Sequence, residues 1–214
     1  MNFIGHATVA LWQKNDPDFV LGSMLPDFAG MAGTRLHRSP PPPSLPEGLA
    51  LSSGIALHHR TDDAFHGAPA FVSLMQQTLD ELTELGVSRA TARAVGHVGT
   101  ELLIDGELVH VPEVAQAYEA ALGIERSLDG VFVDADGALR WGRLRERLLT
   151  YGVPYDYRDP DAVLRRLQVV LHNRPRLAID DGALPILRAH LPLLQRKVRF
   201  ALPALLDSVR TGVS

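Results

Sequence analysis

Proline placement restricts this chain to helices separated by short breaks. Pro17 follows Asp16, Pro69 follows Gly67-Ala68, and Pro112 opens an apolar run. A helix can begin at such positions because first-turn N–H groups have no partner to lose. Between the breaks, apolar residues recur three and four apart, as on a helix with one buried face. Asn2 is placed to cap a helix over residues 3–12, and a second runs from Asp16-Pro17 to about Phe28. Ser39 to Pro46, with five prolines in eight residues, reads as an exposed, extended loop. Ser52 or Ser53 is placed to cap a helix through Leu57 to about Phe65. Pro69 opens a helix through Leu85 that stops at a left-handed Gly86, Ser88 caps a single helix to about Asp105, and another covers Pro112 to Leu122.

The last third continues the pattern. Val131-Phe-Val, the turn Asp134-Ala-Asp-Gly137 and Ala138 to Trp141 read as a small hairpin, the spacing to a closing Glu being wrong for a calcium loop. Helices are expected from about Ala138 to Tyr151 and from Asp159 to His172. The apolar stretch from Asp181 to Val209 contains Pro185, Pro192 and Pro203, so it is expected to kink or divide. The fold class is all-α, a helical bundle with a small β-hairpin near residues 131–141.

Length and composition bound the function. The chain has 214 residues, 46% of them hydrophobic, enough for one domain over residues 1–214 with a full core. It has no cysteine, which excludes disulfides and thiolate metal sites and leaves nitrogen and oxygen as the only ligand atoms. Residues 1–12 are apolar but lack a basic leader, and no stretch approaches the roughly 20 apolar residues that cross a bilayer. The expectation is a cytoplasmic protein without membrane insertion; nothing in the pattern specifies an oligomeric state. Residues 1–139 carry 7 Lys+Arg against 18 Asp+Glu, whereas residues 140–214 carry 14 against 7, giving charges of −11 and +7. The basic last third suits an acidic partner, while a pI near 6.1 and 6% aromatic content argue against nucleic acid.

The chemistry lies in two rows. His58, Asp62 and His66 are spaced four apart, and so are His97, Glu101 and Asp105. Residues four apart stack on one helix face, so each row presents imidazoles and carboxylates together, the arrangement by which helical proteins hold one or two divalent ions. His59 and Asp63 add ligand types beside the first row. Asp27 is a carboxylate embedded in apolar sequence, where burial costs several kcal/mol unless a cation or donors meet it, and His6 sits beside Gly5 and Ala7 in an apolar helix. His37, His110, His172 and His190 read as ordinary histidines.

These pieces carry a resemblance. Met1-Asn-Phe-Ile-x-His6, Gly22-x-x-Leu25-x-Asp27-Phe28, Ser53-Gly-Ile-x-x-His58-x-Arg60-x-Asp62, Tyr157-Arg-Asp159 and Arg174-Pro-Arg-Leu177 resemble the acyl carrier protein phosphodiesterase family in order and spacing. That family is similar to the HD-domain metal phosphohydrolases, helical proteins in which His and Asp hold a divalent cation, usually manganese. The resemblance implies hydrolysis of the phosphodiester joining 4′-phosphopantetheine to a serine of acyl carrier protein, with His6, Asp27, His58 and Asp62 as metal or catalytic residues and Arg60 facing the phosphate. The chain departs from the family pattern at His66, where an acid is expected, and at His97, Glu101 and Leu102, where Asp and Asp-His are expected. The resemblance makes Mn²⁺ the expected ion, with Fe²⁺, Zn²⁺ or Mg²⁺ as alternatives, because more imidazole shifts a site from manganese or magnesium toward zinc or iron.

On this reading Asp27, His58, Asp62 and His97 are the direct ligands, His6 and Glu101 ligands or general acid and base, and Arg60 a guanidinium fork on the phosphate. His59, Asp63, His66 and Asp105 support the ligands or hold a second metal. Arg165, Arg166, Arg174 and Arg176 form the face for an acidic carrier protein. The alternatives are an HD-like or phospholipase C-like hydrolase of a small phosphoester, the latter matching Gly22-x-x-x-Pro26-Asp27 without that group's tryptophan-started N-terminus, and a non-catalytic helical binding protein.

Overall fold

The computed structural model describes residues 1–37, 46–126, 128 and 130–214. Helices α1 (Phe3–Gln13), α2 (Pro17–Met31), α3 (Pro46–Gly67), α4 (Pro69–Glu84) and α5 (Arg89–Ala94) come first. A π-helical turn over Val95–Gly99 leads into α6 (Thr100–Leu108). Then follow α7 (Pro112–Gly123), α8 (Gly137–Tyr151), a 3₁₀ turn at Tyr155–Arg158, α9 (Pro160–His172) and α10 (Ala183–Val213). The fold is all-α.

Local chemistry explains most boundaries. The Asp16 carboxylate accepts from the Asp18 and Phe19 amides ahead of Pro17, and Asp159 accepts from the Asp161 amide ahead of Pro160. The Ser88 hydroxyl accepts from the Thr91 amide, and Gly86 is left-handed with φ 93°. Asn2 is extended, as a cap should be, but its side chain makes no capping bond.

Several expectations are corrected. Helix α3 begins at Pro46, well before the proposed cap at Ser52 or Ser53, while the rest of the proline-rich segment falls outside the described residues. The helix expected from Ser88 to Asp105 is interrupted by the π turn. The hairpin near 131–141 is absent: Phe132 makes an isolated antiparallel bridge with Leu36, and α8 starts at Gly137. A turn rich in Asp and ending in Gly serves a helix entry as well as a hairpin, and here Gly137 lies where a Cβ would meet Phe132 Cβ at 2.4 Å. The final stretch neither divides nor stops: α10 is one helix of 31 residues containing Pro192 and Pro203. Leu187, Leu191, Leu194, Val198, Leu205 and Val209 are all fully buried along it. Burying six such side chains, at about 1.5–3 kcal/mol each, outweighs a cost of roughly 3 kcal/mol per internal proline.

The chain forms two compact units. The first comprises Met1–Asp62, Leu108–Pro154 and Val213, the second Asp63–Glu107, Tyr155–Gly212 and Ser214. The first has an aromatic core in which Phe3 lies 5.4 Å from Phe28 and 5.9 Å from Tyr118, and Phe28 lies 5.5 Å from Trp141, all between ring centroids. The core of the second includes Phe65 and Phe71, 4.3 Å apart, with Leu82, Leu167 and the buried stripe of α10. Among the described residues no helix is long and apolar enough to cross a membrane.

Candidate metal centres

A close helix crossing builds the centre in the first unit. A Cβ on Gly22 would lie 2.1 Å from the Leu51 carbonyl oxygen, and one on Gly54 would lie 2.2 Å from that of Phe19, so α2 and α3 touch through backbone. One turn past Gly54, His58 Nδ1 reaches the Ser23 carbonyl at 2.9 Å. A carbonyl only accepts, so Nδ1 carries the hydrogen, and in the neutral ring Nε2 keeps its lone pair. That nitrogen stands 3.4 Å from Asp62 Oδ2. A histidine oriented by a carbonyl on one nitrogen, with the other free to ligate, is the usual support of a metal-binding imidazole.

His6 meets His58 from α1, the rings stacked 3.9 Å apart. Its Nε2 lies 3.2 Å from Asp62 Oδ1 and 3.9 Å from Asp27 Oδ2, and among the described residues neither ring nitrogen makes a well-aligned hydrogen bond. Burial pushes the His6 pKa down to about 3, with the nearby His58 adding to the effect and Asp62 opposing it. A fully buried neutral imidazole with no bonded nitrogen costs free energy that a cation would offset. For Asp62, burial acts to raise the pKa, but His58, His6 and the Met1 amino group 2.8 Å from Oδ1 hold it far below the ordinary carboxylate range. Ligand atoms of His6, Asp27 and His58 all lie within 4.8 Å of one another.

The second unit holds a tighter group. Nε2 of His66 is 3.3 Å from Nε2 of His97, and Glu101 Oε1 is 3.3 Å from the first and 3.4 Å from the second. The three atoms make a nearly equilateral triangle. Donors about 2.05 Å from a tetrahedral ion stand about 3.3 Å from each other, so the triangle has the size of one face of a zinc coordination tetrahedron. Two nitrogens and one oxygen are, in kind and number, the three protein ligands that zinc takes where its fourth position is left open. The imidazoles are 36% and 40% exposed against 13% for Glu101, so the group opens to solvent through its histidines. Burial alone would raise the Glu101 pKa, but contacts with His66 and His97 keep it below its usual value.

Phe71, 1% exposed, positions both imidazoles. Its ring meets His66 edge-on at 5.4 Å and 83°, and His97 at 5.4 Å and 89°. The sequence signal was weak, an aromatic two residues after the break at Pro69.

The expected site residues therefore divide. His6, Asp27, His58 and Asp62 come together, while His97 groups with His66 and Glu101. His66, expected to support a site, and Glu101, expected as ligand or acid–base residue, supply ligand atoms. Asp105 is fully buried outside the triangle. There burial and then the Asp105 charge raise the Tyr157 phenol to about 12, against the pull of Arg166. His59, Arg60 and Asp63 are exposed. Arg60 is two residues from both His58 and Asp62, and helix residues two apart do not face each other. Arg165 sits 3.8 Å from Asp159 and Arg166 covers the Tyr157 ring at 5.6 Å, whereas Arg174 and Arg176 are exposed with no carboxylate partner among the described residues.

No protein-family model, curated protein or solved structure matches this chain at a significant level.

Proposed function

We propose that this protein is a metal-dependent phosphodiester hydrolase. The observation that carries the proposal is the His66–His97–Glu101 triangle, whose edges suit a small divalent cation. The His6–Asp27–His58–Asp62 group is a second place for such a cation. A divalent cation there would neutralise nonbridging phosphate oxygens and lower the pKa of a water from about 16 toward roughly 7–9. Burial holds His6 neutral, the Ser23 carbonyl fixes the His58 tautomer, and the neighbouring histidines keep Glu101 and Asp62 ionised, the forms in which these groups bind a cation. Two imidazoles with one carboxylate favour zinc or iron over manganese or magnesium.

The substrate we infer is holo-acyl carrier protein, losing its 4′-phosphopantetheine arm. This rests on the family resemblance and on the positive last third, which would draw in an acidic partner. The test is mass-spectrometric conversion of holo- to apo-carrier protein with Zn²⁺, Fe²⁺, Mn²⁺ and Mg²⁺ in turn. Conversion with at least one ion, abolished by a chelator, supports the proposal. Turnover of bis-p-nitrophenyl phosphate without carrier conversion assigns a small-phosphoester hydrolase instead, and failure to bind any of the ions removes both readings.

A further inference from the structure

The second unit contains a cavity of about 680 Å³ bordered by Arg89, Arg93 and Arg174, with His97 on its rim. Pockets of about 300–1,000 Å³ are the size that takes small organic ligands. The guanidiniums are exposed, and among the described residues none has a carboxylate partner. Arg89 and Arg93 are also four apart, a like-charge spacing that works against the helix. Elsewhere in this unit several positive side chains are matched: Arg199 bonds Glu107 at 2.7 Å, Arg188 stands 3.4 Å from Asp161, and Lys197 pairs with Glu81. Three positive side chains on one cavity, with no carboxylate partner among the described residues, suit an anion.

The rest of the cavity is apolar. Val98, Leu171 and Leu177 line it, with Ala90 and Ala94 between the arginines leaving room above the helix. An inorganic anion alone would leave that surface wet, so the ligand has an apolar part as well as a charge. His97 ties the cavity to the metal triangle, since the same residue contributes a ligand atom to one and lining to the other.

We propose that this cavity binds an organic phosphate, an anionic group on a short apolar arm, with Arg89, Arg93 and Arg174 holding the phosphate and Val98, Leu171 and Leu177 holding the arm. The assignment goes beyond the hydrolase reading, and the binding itself does not need a metal. Guanidinium forks match phosphate oxygens bidentately, and the apolar wall sets a preference for esters over inorganic phosphate.

The test is titration of the full chain, stripped of metal by a chelator, with n-hexyl phosphate, inorganic phosphate and n-hexanol, followed by calorimetry. Hexyl phosphate is expected to bind at least about tenfold more tightly than inorganic phosphate, and hexanol not to saturate. The exposed-site double variant R93A/R174A should weaken hexyl phosphate about tenfold or more with an unchanged circular dichroism spectrum. L177W, which narrows the arm's path, should weaken hexyl phosphate and leave inorganic phosphate unaffected. Equal binding of hexyl and inorganic phosphate, or undiminished binding by R93A/R174A, overturns the proposal. Hexyl phosphate binding of the expected pattern without any metal-dependent hydrolysis leaves the cavity assignment standing and defeats the hydrolase reading.

Discussion

His66 and His97 place their Nε2 atoms 3.3 Å apart although 31 residues separate them in the chain. At that distance one Nε2–H can donate to the other nitrogen, whereas two bare lone pairs or two imidazolium cations repel. Phe71 holds both rings edge-on and Glu101 brings a carboxylate to both, so three candidate ligand atoms face one gap.

Binding of Zn²⁺ or Co²⁺ should therefore depend on these side chains. In a chelator-stripped protein, His66→Ala and Glu101→Gln should each weaken the ion bound at the triangle by more than the roughly 10–100-fold that follows loss of a supporting residue. The visible spectrum of the Co²⁺ form should be intense, as for a tetrahedral site. Unchanged binding and spectrum in both variants would remove the triangle as a metal centre. In the unaltered protein, Zn²⁺ at about 100 times its Kd should add about 2.7 kcal/mol to the unfolding free energy.

Phe71→Leu should keep the fold, since it substitutes one apolar side chain for another, yet release the orientation of both imidazoles. The expected result is several-fold weaker metal binding with less than about 1.5 kcal/mol lost in urea denaturation. Loss of stability with metal binding unchanged would reduce Phe71 to a core residue.

Gly54→Ala should destabilise the protein by at least about 2 kcal/mol, because its Cβ would lie 2.2 Å from the Phe19 carbonyl oxygen and only backbone movement could relieve it. The same movement carries Ser23 away from His58, so histidine NMR should show the Nδ1 hydrogen bond of His58 weakened in the variant. Unaltered stability would mean that α2 and α3 do not cross through these glycines.

Acid should destabilise the metal-free protein through His6. Its pKa is about 3 when folded and near 6.5 when unfolded, so below 6.5 the unfolded chain binds the proton and the folded chain does not. Stability falls as the pH drops from 6.5 toward 3, by roughly 3 kcal/mol between pH 6.5 and 4 at about 1.4 kcal/mol per unit. Asp62, held low in the fold, adds a loss in the same direction below about pH 4. Urea denaturation across that range, compared with His6→Phe, measures the contribution; equal slopes in both proteins would count against it.

His58→Ala and Asp62→Asn are expected to abolish turnover while preserving the helical circular dichroism signal. Loss of folding in both would give the pair a structural role instead.

Proline, glycine and short polar caps, all local in their action, made the helix starts at Pro17, Pro69 and Pro112 and the stop at Gly86 readable from the amino acids alone. The i, i+4 spacing likewise put His58 with Asp62 on one face, because it depends only on helix geometry. What spacing does not contain is which rows meet. The contact of α2 with α3 at Gly22 and Gly54, the His6 ring over His58, and the pairing of His66 with His97 through Phe71 are made between distant segments and follow from packing. The same holds for α10, whose prolines should have ended it locally and which a continuous buried stripe kept intact, and for Asp134-Ala-Asp-Gly137, where the fold chose a helix entry over a hairpin. Local sequence specified the ligand types and their faces; long-range burial decided which of them share an ion-sized gap, because contacts distant in sequence leave no periodic trace.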